Sequence, residues 1–272
     1  DLNSRGVKRI SSVRNLRAFQ FPEDAGPMTH AVRPDSYIKM DNFYTMTVYE
    51  KGAELVRMIH LLLGEERFQK GIRIYFEKFD GMAVTVEDFV AVMEDASGRD
   101  LKPFMTWYLQ SGTPVVTVRT DHDPSSSTLK IELSQKTVPD RNQKTKQPLH
   151  IPVRVGILDK DGTDITPGGD ALLELTTETQ SFEFKGIPEG SRPSLFRGFS
   201  APVKIDTDFT DDDLAFFMAH DTDEFNRWDA AESLLFSEIK KLVLACQEGH
   251  PLEVSPMLIR AFETALTSPD TD

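Results

Sequence analysis

The sequence predicts an α+β chain in three consecutive parts: helical to about residue 112, an antiparallel β-sandwich over 113–206, and helical again over 207–272. Two changes of hydrophobic period carry this reading. Apolar residues recur at steps of three and four between residues 50 and 110, at every second position between 116 and 184, and at threes and fours again beyond 211. A length of 272 residues accommodates one large domain or several small ones.

From Glu50 to Gly64 the residues Ala53, Val56, Ile59, Leu62 and Leu63 define an apolar stripe, with Glu54 and Arg57 on the other face. A second helix over 65–79 places Phe68, Ile72, Tyr75 and Phe76 on one stripe and stops at the turn pair Asp80-Gly81. Thr85 then offers an N-cap, followed by acids in the first turn, and Phe89, Val92, Met93 and Ala96 lead on to Gly98. A shorter helix over 101–110 carries Phe104, Trp107 and Tyr108. Four helices joined by turns of a few residues pack as neighbours, so 50–110 is a helical unit.

At Gly112-Thr113-Pro114 the period changes. Val116 and Val118 open a strand region; Leu129, Ile131 and Leu133 alternate with Lys130, Glu132 and Ser134, and Ile151, Val153, Val155 and Ile157 alternate beyond a polar loop. Turn signals at 159–162 and 167–169 separate these from short strands at Leu173-Glu174-Leu175 and Phe182-Glu183-Phe184, and the region closes near Asp206. Short strands with no helical periodicity between them predict a β-sandwich. Helices follow at 211–220, along Phe225, Trp228, Leu235, Ile239 and Leu242, and at 255–266; their broad apolar stripes need further surface to pack on.

The charge balance is −13, which argues against nucleic acid and anionic membrane surfaces as partners. No window reaches the roughly 18 apolar residues of a spanning helix. The single cysteine, Cys246, excludes an internal disulfide and fits a reducing compartment; among Leu244 and Ala245 it is expected to be a buried small apolar side chain.

Chemistry is sparse on the residues alone. The six histidines show no H-E-x-x-H spacing, so the chain has no zinc signature. His60 is expected to be a satisfied, partly buried side chain. The run Asp211-Asp212-Asp213 opens a helix, where carboxylates favour the dipole, and is expected to serve that end more than a cation. No Gly-rich phosphate loop or nucleophile elbow occurs.

The segment from Met40 to Glu54, M-D-N-F-Y-T-M-T-V-Y-E-K-G-A-E, closely resembles the region around the catalytic tyrosine of zinc aminopeptidases of the bacterial aminopeptidase N (alanyl aminopeptidase) family. The resemblance continues in order through Glu23-Asp24-Ala25-Gly26-Pro27-Met28, Leu63-Gly64-Glu65-Glu66, Tyr75-Phe76-Glu77, Trp107-Tyr108 with Ser111-Gly112-Thr113-Pro114, the run 147–152, the run 199–204 and the run 227–231. Y-E-K-G alone would be weak; the colinear series makes coincidence implausible.

The resemblance implies that Tyr49 is the catalytic tyrosine, its hydroxyl stabilising the oxyanion formed during attack on the scissile carbonyl. A phenol is a neutral donor near pH 7, held in place by the packing of its ring. Read without the family, Tyr49 is a tyrosine packing at a helix start. Tyr44 resembles a companion on the substrate side of the site, with a core role as its alternative. Position 41 is Asp where close relatives have Asn.

The family's H-E-x-x-H and G-A-M-E-N motifs are not in this sequence and would precede Asp1. The resemblance therefore implies a fragment: the later, helical part of a thermolysin-like catalytic domain over 1–112, a β-sandwich over 113–206, and the first helices of an α-helical C-terminal domain over 207–272. It implies a zinc-dependent, cytoplasmic, monomeric parent acting on peptides. This chain alone is expected to supply no metal ligand, to bind no zinc and to be inactive. A non-catalytic protein-interaction module is the competing reading.

Overall fold

The computed structural model describes residues 5–267. The described chain enters through α1 (Arg5–Asn15), passes without a break through a π-helical turn at Leu16–Gln20 and ends in α2 (Phe21–Ala25). No helix is predicted here from periodicity, because Ile10, Val13 and Leu16 stand at threes within a stretch diluted by Arg, Lys and Ser. Val13 and Leu16 are nevertheless buried, clustered with Phe21, Phe199 and Phe225.

Beyond a 3-10 turn at Met40–Phe43 and a second π-helical turn at Thr47–Lys51 come α3 (Gly52–Leu63), α4 (Glu65–Phe79), α5 (Val86–Ser97), a 3-10 turn at Lys102–Met105 and α6 (Thr106–Leu109). The signals predicted for α5 are in place. Thr85 accepts a hydrogen bond from the Asp88 N–H while the Asp88 carboxylate accepts from the Thr85 N–H, and Gly98 closes the helix in the left-handed region. At Gly71 an added Cβ would lie 2.5 Å from Met93 Sδ, so glycine is what lets α5 approach α4.

The face of α3 differs from expectation. Leu55, Met58, Ile59 and Leu62 are buried, Val56 is exposed, and Glu54 is buried as the partner of Arg9. The difference arises because α3 is covered on two sides, and the side facing α1 carries charge in place of apolar surface.

The sandwich comprises β1 (Val115–Asp123), β2 (Thr128–Lys136), β3 (Ile151–Leu158), β4 (Ala171–Leu175), β5 (Thr179–Lys185), β6 (Arg192–Leu195) and β7 (Lys204–Asp206). The sheets have the orders β5-β2-β1-β7 and β4-β3-β6. Leu129, Ile131 and Leu133 point inward and their neighbours outward, as the period of two requires. β3 is buried at every position except Arg154, since α3 packs against this strand. Two details depart from the predicted antiparallel arrangement. β7 runs parallel to β1, and β6, whose Pro193 hides it as a strand in the sequence, is an edge strand that tolerates proline.

Helical unit and sandwich share one core, running from Leu55, Met58 and Trp107 to Ile131, Ile151 and Val153. Trp107 lies at its centre, and its indole Nε1–H donates to the His150 carbonyl at 2.8 Å. The wholly buried segment 196–203 joins all three parts. Phe196 and Phe199 adopt φ of 53° and 54°, a costly conformation for bulky residues that the surroundings enforce. Arg9 donates to the Gly198 and Phe199 carbonyls, and Asp223 accepts from the Gly198 N–H at 2.9 Å.

The last part consists of α7 (Asp211–His220), α8 (Glu224–Glu248) and α9 (Pro256–Thr267), packed around Phe217, Met218, Leu234 and Leu258. The Asp211–Asp213 run is accounted for locally. Asp213 forms a capping box with Thr210 and pairs with Arg192, and Asp211 pairs with Lys241. Cys246 is exposed, contrary to the sequence-based expectation. Its half of α8 presents Ile239, Val243 and Leu244 as well, so the apolar run marks a face that no described residue covers.

Candidate functional site

The site is built around the π-helical turn Thr47–Lys51, which leads directly into α3. Such turns widen the helix by one residue and recur at functional sites. Both ends are held by adjacent carboxylates of α2. At the first residue, Glu23 Oε1 accepts from the Thr47 N–H at 2.8 Å and from the Thr47 hydroxyl at 2.6 Å. At the last, Lys51 Nζ lies 2.8 Å from Asp24 Oδ2 and donates to the Gly112 carbonyl at 3.0 Å.

Asp24 is fully enclosed. Its oxygens also accept from the Gly112 N–H at 2.8 Å, the Thr113 hydroxyl at 2.9 Å and the Thr29 hydroxyl at 3.3 Å. Burial alone would raise its pKa, but the Lys51 ammonium and the surrounding donors outweigh it and hold the carboxyl below the usual range.

Tyr49 stands at the middle of the turn, exposed over 58% of its surface, and Tyr44 beside it is exposed over 68%. Their rings stack. Among the described residues nothing hydrogen-bonds the Tyr49 hydroxyl, which leaves the phenol free to donate outward. The approach to the turn is braced by His30, whose Nε2 lies 2.9 Å from Thr45 Oγ1 and Nδ1 2.9 Å from the Met28 carbonyl; a hydrogen on Nδ1 satisfies both contacts. Thr45 in turn accepts from the Val48 N–H.

Tyr44 and Tyr49 are thus stacked together on the exposed surface, and neither is a core residue. Asp41 is exposed in the 3-10 turn. His60 stacks on Phe68 and bonds Glu65 at 2.6 Å, a satisfied side chain. Glu23, Asp24 and Lys51 were singled out only as matching residues, with no role. The signal for Lys51 was present: it stands four before Leu55 on the buried stripe of α3, and a lysine there requires an acid. Among the described residues no group of three or more His, Cys, Asp or Glu is placed to hold a metal, so the residues present do not fit a zinc ion.

Fold and site together define a helical segment that carries the Tyr49 turn, a β-sandwich after it, and a further set of helices. Residues 5–108 match the peptidase family M1 domain, 112–208 match a domain of unknown function with an Ig-like fold, and 211–272 match a domain of unknown function with ARM repeats. Over its whole length the chain is similar to aminopeptidase N of Escherichia coli at 48% identity and of Haemophilus influenzae at 44%, in each case covering 32% of that protein. Over 93% of its length it is 46% identical to aminopeptidase N of Caulobacter vibrioides, covering 29% of it. The chain therefore spans about a third of the length of these relatives. A crystal structure of Legionella pneumophila aminopeptidase A in complex with aspartic acid matches 88% of this chain and 27% of its own, with a TM-score of 0.76 and 31% identity. Nothing in these relatives favours the interaction-module reading.

Proposed function

We propose that this chain is part of an aminopeptidase that releases single N-terminal residues from peptides, and that Tyr49 is the electrophilic residue it contributes. The observation that carries this reading is the placement of Tyr49, exposed and with no hydrogen-bond partner for its hydroxyl among the described residues, on a π-helical turn whose two ends are fixed. When water attacks the scissile carbonyl, negative charge collects on its oxygen, and a fixed phenol donor acts on the transition state more than on the substrate. Tyr44 presents its ring beside that donor and takes the apolar part of the substrate near the cleaved bond.

The zinc that the family resemblance implies would be held by residues outside this chain. The enzyme works as a monomer in the cytoplasm; a sole cysteine is compatible with that reducing compartment. Among the described residues no helix is long and apolar enough to cross a membrane. Hydrolysis of aminoacyl anilides by the whole enzyme, wild type against Tyr49→Phe, tests the reading.

A further inference from the structure

The two adjacent carboxylates of α2 have no place in the chemistry proposed for Tyr49, yet both are committed to the turn that carries it. Glu23 takes both polar hydrogens of Thr47, the first residue of the turn, and Asp24 takes the ammonium of Lys51, the last. The Lys51 side chain is 1% exposed and that of Asp24 is 0% exposed. A buried ion pair is a poor device for stability alone, because desolvation offsets most of its attraction and apolar residues of similar volume often serve as well. What the pair adds is direction. Asp24 also binds the Gly112 N–H and the Thr113 hydroxyl, and Lys51 binds the Gly112 carbonyl, so the turn is registered against the linker that enters β1.

We propose that Glu23 and Asp24 are positioning residues, a two-carboxylate clamp that fixes the Thr47–Lys51 turn so that the Tyr49 hydroxyl points at the substrate carbonyl. This rests on the reading of Tyr49 given above. The clamp acts through Tyr49 and touches no reacting atom. Its loss lets the turn relax toward regular α-helical pairing, which rotates Tyr49 about the helix axis; a displacement of about an ångström in a donor can cost up to about a hundredfold in rate.

The test is kinetic, on the whole enzyme with an aminoacyl anilide. Glu23→Ala removes the acceptor for both Thr47 donors, whereas Glu23→Gln keeps a carbonyl oxygen in its place. The paired change Asp24→Asn with Lys51→Met removes both buried charges together, which avoids stranding either. The clamp predicts that Glu23→Ala and the paired change each lower kcat by roughly 10- to 100-fold with KM within about twofold, that Glu23→Gln restores most of the loss, and that either change costs less than about twofold once Tyr49 is already Phe. Should Glu23→Ala fail to fold, the paired change decides alone. A folded variant with kcat within about twofold of wild type, or a loss that persists in full in the Tyr49→Phe background, overturns the clamp while leaving Tyr49 in its role. Wild-type kcat in Tyr49→Phe itself overturns both.

Discussion

Tyr44 and Tyr49 lie nearly parallel, with ring centroids 6.2 Å apart and planes inclined by 22°. Two large, exposed aromatic rings held together in this way form a surface with an apolar flank and a hydroxyl at its edge.

Tyr44→Ala is therefore expected to raise KM for an aminoacyl anilide by roughly two- to tenfold in the whole enzyme, and to lower kcat less than Tyr49→Phe does. Because Tyr44 is exposed, the melting temperature should stay near wild type. Steady-state kinetics with thermal unfolding on one preparation checks this; an unchanged KM would take Tyr44 out of the substrate surface.

Asp24 makes the fold acid-sensitive. Its folded pKa is depressed below the unfolded value of about 3.9, so its contribution is fully present above that value and is lost as the pH falls through the folded pKa. Asp164, held down to about 2 by Thr166 and Arg197 against a burial effect that would raise it, adds a second loss in the same direction. Urea midpoints measured between pH 7 and pH 2 should be flat above about pH 5 and fall steeply below about pH 4. The paired change Asp24→Asn with Lys51→Met, which leaves neither buried charge unpaired, should flatten the fall, and an equally steep fall in that variant would remove Asp24 as a cause.

Cys246 lies on the uncovered part of α8. A thiol-reactive dye should label Cys246 in native protein without denaturant, read out by peptide mapping. Labelling that appears only on unfolding would mean that the outer face of α8 is covered in solution.

The helices α3, α4 and α5 were legible because each carries its own stop signal, Gly64, Asp80-Gly81 and Gly98 in turn, and because their stripes repeat at helical spacing; the helix expected over 101–110 is a 3-10 turn followed by the four-residue α6. The strands Leu129–Leu133 and Ile151–Ile157 were legible for the same reason at a period of two. What escaped depends on partners distant in sequence. α1 is ordered by Glu54 and the 198–199 carbonyls accepting from Arg9, and no local pattern encodes that. The parallel pairing of β7 depends on the path of 196–203, where two phenylalanines sit in the left-handed region. The fate of Cys246 was misread because an apolar run on a helix looks the same whether or not something covers it. At the site, the motif around Tyr49 was visible, but the clamp on its turn joins residues 24 and 27 positions apart and appears only when α2 and the turn are placed side by side.

The most direct test of the account is kcat, KM and melting temperature for Tyr49→Phe in the whole enzyme. The substitution keeps the ring and its stacking on Tyr44, and no described hydrogen bond of the fold uses the hydroxyl, so stability should be unchanged. Loss of a single oxyanion donor predicts kcat lower by roughly 10²- to 10³-fold, about 2.7–4 kcal/mol, with KM little altered. A stable Tyr49→Phe enzyme that turns over at the wild-type rate would contradict the account and leave the described residues with no catalytic group.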